Sequence, residues 1–170
     1  MPLNLLVRYN ALLDVTAMSG QERNASLKGI FNRDIVNNSS FAFRTKKINP
    51  TPAEGEDEME RLFKHLTTTM TDKNTRKREF DLARSTRLHW IRYHIEEQKK
   101  ERVLVFSVSE PEGNRTYIYD VDEKYVIVLE PLRDSSKKGY ALLTAYHEEG
   151  KDRERGKIMK KYKRKLLEVL

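Results

Sequence analysis

Cysteine is absent from this 170-residue chain, which removes disulfides and every thiolate-based metal site. Long apolar runs are missing too. No stretch approaches the roughly eighteen residues of a membrane span, so no membrane partner is expected. The opening MPLNLLVRYN has no basic flank, long apolar stretch or small-residue cleavage site, and the chain is expected to be cytoplasmic. There is no GxxxxGK[ST] loop, no GxGxxG and no GxSxG elbow, which argues against nucleotide-driven enzymes. The four histidines, His65, His89, His94 and His147, fall in no HExxH or comparable ligand spacing. Neither a metal nor a cofactor is therefore expected.

What the chain does contain is charge. Lys and Arg number 33 against 26 Asp and Glu, a net +7, and 35% of residues are charged. The excess is uneven: Lys151 to Leu170 holds nine Lys/Arg and three Asp/Glu. An anionic partner would be drawn there, and Lys160, Lys161 and Lys163 are the candidate contacts.

The pattern is organised around Asp81 to Glu97, where Arg84, Leu88, Ile91 and Ile95 recur at spacings of 4, 3 and 4. That repeat lines one side of an α-helix of about four turns, with Asp81 as N-cap. Arg84 breaks the apolar stripe. It must be paired, reach an edge or enter a site, because an isolated buried charge is too costly to keep. His94 lies beside the stripe, whereas His89 is expected to face solvent.

Before this helix, Leu5, Leu6, Tyr9, Leu12 and Leu13 predict a helix over residues 3–17, and a second short helix is expected around Ala25 to Phe31. Asn32 to Ser40 reads as a loop and Phe41 to Ile48 as a strand. Pro50 and Pro52 end it, and the acidic cluster Glu54 to Glu58 suits the first turn of a helix running to Thr67. A polar connection from Thr68 to Arg78 follows. Beyond the central helix the period changes to two. Strands are expected at Arg102–Ser109, Arg115–Asp120, Tyr125–Glu130 and Tyr140–His147, the last after a polar loop at 133–138. Their short connections predict a four-stranded antiparallel meander packed on the central helix. Leu88, Ile91, Ile95, Phe106, Val108, Ile118, Val126, Val128, Leu143 and Ala145 are the expected core. A basic helix over Asp152 to Leu170 closes an α+β fold. Alternation also predicts a second sheet face carrying Arg115, Tyr117 and Tyr119, with Thr144 and Tyr146 from the last strand. Such a face could hold phosphates and stack bases, although Tyr and Thr are also ordinary strand formers.

The segments REFDLARSTRLHWI (Arg78–Ile91), RTYIYD (Arg115–Asp120), KYVIVLE (Lys124–Glu130) and YALLTAY (Tyr140–Tyr146) together resemble the phage-encoded branch of the barnase, EndoU, colicin and RelE-like nucleases. FAFRTKKINPTPAEGEDEMERLFKHLTT, Phe41 to Thr68, is similar to prophage-encoded relatives. The resemblance implies a nuclease-like domain at 51–170, with residues 1–50 as a helical accessory segment. It also implies RNA as partner, with an inhibitor or immunity protein as a further partner class. Carried over by position, the residues implied are Arg84, Arg87, Trp90, Thr144 and Tyr146, with His94 as the candidate titrating group. The chain departs from the family in showing no self-evident acid and base pair. Two readings follow: a metal-independent endoribonuclease that forms a 2′,3′-cyclic phosphate, and a non-catalytic RNA-binding or interaction module. A histidine near Arg84, Thr144 or Tyr146 would discriminate between them.

Overall fold

The structure, a computed structural model, describes residues 2–133, 139–150 and 156–170. The expected loop at 134–138 and the expected helix start at 152–155 lie outside the described residues. The described residues form the α-helices α1 (Gly20–Phe31), α2 (Glu58–Thr67), α3 (Leu82–Ser85), α4 (Trp90–Ile95) and α5 (Lys157–Lys163). The strands are β1 (Ala42–Phe43), β2 (Lys46–Asn49), β3 (Thr68–Asp72), β4 (Lys77–Phe80), β5 (Val103–Glu110), β6 (Gly113–Asp120), β7 (Tyr125–Leu132) and β8 (Gly139–His147). The class is α+β, as expected. No helix among the described residues is long and apolar enough to cross a membrane.

The sheet is larger than the expected four-stranded meander. Six strands run in the order β1-β2-β8-β7-β6-β5, and β3 and β4 form a separate hairpin. The meander β5 to β8 is antiparallel, but β2 joins β8 in parallel, Ile48 opposite Tyr140. Hairpin lengths could not reveal this pair, because some ninety residues separate its strands. The expected strand at Phe41–Ile48 is two strands, β1 and β2, joined through Arg44 in a left-handed conformation. The expected polar connection at Thr68–Arg78 is the β3–β4 hairpin.

The central helix is also corrected. Asp81 caps it, accepting from Arg84 N at 3.0 Å, but helical structure divides into α3 and α4. Thr86 O accepts from Leu13 N at 2.9 Å. Arg87, Leu88, Trp90 and Ile91 donate backwards by three residues, as in a 3₁₀ turn. Hydroxyls assist the break: Ser85 Oγ donates to Thr67 O and Thr86 Oγ1 to Leu82 O. The tighter turn buries Leu88, His89, Trp90 and Ile91 in succession. His89, expected in solvent, is thus 6% exposed. At the N-terminus only Pro2–Leu6 is helical, a 3₁₀ turn with Leu6 exposed. Asn32–Val36, read as loop, continues α1 as a π-helical turn.

Two cores lie on opposite faces of the sheet. The larger joins Ile30 and Phe31, Leu62 and Leu66, and Leu88, Trp90, Ile91 and Ile95 to Ile118, Ile127, Leu129 and Leu142. Residues from the 1–50 segment therefore share it with the sheet. The smaller comprises Phe106, Val108, Tyr117, Tyr119, Val126 and Val128 beneath Ile158 of α5. Phe106, Val108, Val126 and Val128, expected in one core with the central helix, belong to this second one. In β8 the register shifts between the partners Val128 and Leu129. The extra residue, Leu143, breaks alternation, so Tyr140, Leu142 and Ala145 face the larger core while Leu143 and Tyr146 pack with the smaller.

Candidate functional site at the open edge of β8

β2 covers the β8 edge only at Tyr140 and Ala141. Beyond Ala141 that edge is met by helices instead, and their ends are tied together there. Asp81 N and Ser85 Oγ both donate to Thr67 O, at 2.9 and 3.0 Å, so the β3–β4 hairpin returns the chain to where α2 stopped. α3 starts beside the C-terminus of α2, and Arg84 is placed against that terminus. Its Nη1 donates to His65 O at 3.0 Å and to Thr144 Oγ1 at 2.9 Å, while Nε lies 3.4 Å from Asp81 Oδ2. The guanidinium carbon is 5.9 Å from the Tyr146 ring centre. A cation at a helix C-terminus is favoured by its unpaired carbonyls. Nη2 takes part in none of these contacts.

The cations of this edge are close together. Arg78, on β4, donates to Thr68 Oγ1 and Thr68 O at 2.8 and 2.9 Å. Burial and then the charge of Arg84 lower its affinity for its proton. His65 feels the same field. Burial, then the charges of Arg78, Arg61 and Arg84, push its imidazole below the ordinary histidine value, against a weaker opposing effect of Glu56. His65 and Arg61 line a cleft of about 220 Å³ with Thr51, Leu142 and Leu143. A second cleft of about 220 Å³ is lined by Asp81, Arg84, Tyr146, His147 and Glu148. There His147 Nδ1 lies 3.0 Å from Glu149 Oε1. Arg84 therefore has one histidine's carbonyl on it and another histidine along its cleft.

Among the residues marked out by sequence, Arg84, Thr144 and Tyr146 come together here. Arg87 does not join them: its Nη1 donates to Ala83 O at 2.9 Å and its guanidinium lies 5.3 Å from the Trp90 ring. His94 is also elsewhere. It is buried with its Nε2 3.2 Å from Asp120 Oδ2, and Lys99 Nζ holds Asp120 Oδ1 at 2.8 Å. Tyr9 donates to the same carboxylate. Burial opposes ionisation of Asp120, but hydrogen bonds from His94, Lys99, Tyr9 and Glu123 N hold it well below the usual carboxylate range.

The expected tyrosine face is not open. Tyr117 and Tyr119 are 4% and 2% exposed under α5, and Tyr162 packs edge-on to Phe106 with ring centres 5.1 Å apart. Tyr117 Oη donates to Glu110, which also pairs with Lys161. Arg115 is held by Glu130 at 2.6 Å. Lys160 and Lys163 remain exposed. The residues of the edge that sequence reasoning did not select are Arg61, His65, Arg78 and His147. His65 and His147 were visible as titratable groups, but only the bulge in β8 and the return of the hairpin bring them to Arg84. Among the described residues no group of three or more His, Asp or Glu side chains is placed to hold a metal ion.

No protein-family model, curated protein or solved structure matches this chain.

Proposed function

We propose that the chain is a metal-independent endoribonuclease of the barnase, EndoU, colicin and RelE-like kind, acting at the open edge of β8. The observation that carries this is His65: a half-buried imidazole whose affinity for a proton is lowered by burial and then by three arginines, where Arg84 bridges α2 to Thr144. A neutral imidazole accepts the ribose 2′-hydroxyl proton as O2′ attacks phosphorus. The P–O2′ bond forms, the P–O5′ bond breaks, and His147 returns a proton to the leaving 5′-oxygen. The products are a 2′,3′-cyclic phosphate and a 5′-hydroxyl. Arg84 and Arg78 offset the charge that builds on the phosphoryl oxygens, and Tyr146 flanks the bound nucleotide.

A non-catalytic RNA-binding module is the second reading. It is favoured by one observation, that Arg84 already has internal partners for Nε and Nη1. Incubating the protein with total RNA in EDTA, with end-group analysis, separates the two. Cyclic phosphate ends made by the parent protein and reduced about 10²–10³-fold by Arg84→Lys, equivalent to about 3–4 kcal/mol, are the expected result. Lysine keeps the charge but loses the fork. RNA that is bound but left intact would put the binding module in front.

A further inference from the structure

On the larger-core side of the sheet, remote from the β8 edge in strand order, lies a cleft of about 600 Å³ that the ribonuclease reading does not use. Its apolar lining comes from β5 and β6: the half-buried Val103 and Val105, and the buried Ile118. Its polar lining is mostly cationic, with Arg44, Lys99 and Lys100. Lys99 is held by Asp120 and Asp122 and Arg44 by Glu97, whereas Lys100 pairs with no carboxylate among the described residues. His94 also lines it, although only 2% exposed. Its Nε2 meets Asp120, while its Nδ1 has no hydrogen-bond partner among the described residues. A buried ring nitrogen without a partner beside a cationic cleft is a group waiting for one, since such atoms are seldom left unsatisfied.

Arg44 and Glu97, which both line the cleft, pair with each other at 3.3 Å.

We infer that this cleft binds a nucleoside 5′-monophosphate, its base on Val103, Val105 and Ile118 and its phosphate between Lys100, Arg44 and His94. The volume lies in the range of ordinary small-molecule sites, which pair an apolar floor with a few convergent polar groups. An imidazole whose Nε2–H is taken by a carboxylate leaves Nδ1 as an acceptor, which a monoanionic phosphate ester meets with its P–OH. Arg44 releases Glu97 to reach the same phosphate, for which its planar fork is suited.

This inference is independent of cleavage at the β8 edge, and its test separates the two. The full chain is titrated with 5′-AMP, adenosine and inorganic phosphate, by calorimetry and by following the His94 ring signals in NMR. Saturable 5′-AMP binding that moves the His94 signals is expected, at least about tenfold tighter than either fragment, because the floor and the cations each supply part of the affinity. Arg44→Gln with Lys100→Gln should weaken it by about tenfold or more while leaving the fold unchanged, both side chains lying at the surface. The proposal is overturned if 5′-AMP does not bind at millimolar concentration. It is equally overturned if binding survives the Arg44/Lys100 pair and disappears with Arg84→Gln, which would assign the nucleotide to the β8 edge.

Discussion

Asp120 is densely partnered: it receives His94, Lys99 and Tyr9, together with the backbone N–H groups of Asp122 and Glu123. Removing one partner of a buried ionic group leaves the others uncompensated, which costs about 3–5 kcal/mol. Asp120→Asn should lose stability on that scale in urea denaturation, and Asp122→Asn, at the surface, under about 1 kcal/mol. His65 also has a lowered pKa, for a different reason. Its folded pKa is depressed by burial and the neighbouring arginines, so the folded state disfavours the protonated ring. Its contribution is fully present above the unfolded value near 6.5 and is lost as pH falls through the lower folded value. Between pH 8 and pH 5 the parent protein should therefore lose more stability than His65→Gln. If His65 is the base, the acid limb of kcat/KM should also bend below pH 6.5, and a bend above that value would remove it from the role.

At the scale of elements, the junction of β2 with β8 depends on one residue without a side chain. Gly139 has φ 125°, and a Cβ there would lie 2.2 Å from Lys47 O. Neither strand can yield without opening the parallel pair. Gly139→Ala should cost about 2–5 kcal/mol through strain and overpacking together, seen as a lower urea midpoint. α5 is held differently, by Ile158 at 2% exposure and by Tyr162 on Phe106. Leu166 N also donates to Ser107 O on the outer strand, at 2.8 Å. Ile158→Ala should destabilise by about 2–4 kcal/mol and make the segment from Lys157 onward the first to be cut in limited proteolysis. Equal protection in parent and variant would mean that the segment is anchored elsewhere.

Across the whole molecule, the net charge of +7 is concentrated toward the C-terminal segment, and α5 carries it across the sheet face opposite the larger core. Lys161 is engaged by Glu110, while Lys160 and Lys163 point to water. If RNA bound at the β8 edge extends over α5, replacing Lys160, Lys161 and Lys163 by Gln should reduce the slope of log affinity against log salt. The reduction should be about 0.7 for every phosphate of a single strand that a lysine no longer neutralises. An unchanged slope would confine the RNA to the edge itself.

The sequence by itself determined the parts of this protein that rest on local periodicity and composition. Alternation in Arg102–Ser109, Arg115–Asp120 and Tyr125–Glu130 marked the meander, the acidic run before Glu58 marked the start of α2, and Asp81 marked a cap. The position of Arg84 inside an apolar stripe showed that it needed a polar partner. Tertiary structure decided which partner, because Thr144 and His65 O lie 60 and 19 residues away. It also decided the faces of β8, since a single bulged residue at Leu143 reverses alternation without leaving a mark in hydropathy. The same holds for the burial of Tyr117 and Tyr119, which depends on where α5 docks, and for the division of the central helix, where the Thr86 carbonyl is taken by Leu13. Local patterns specify which way a side chain points from its own element. What it meets is set by contacts between residues far apart in sequence, and at the β8 edge those contacts bring Arg84 to Thr144 and to the end of α2.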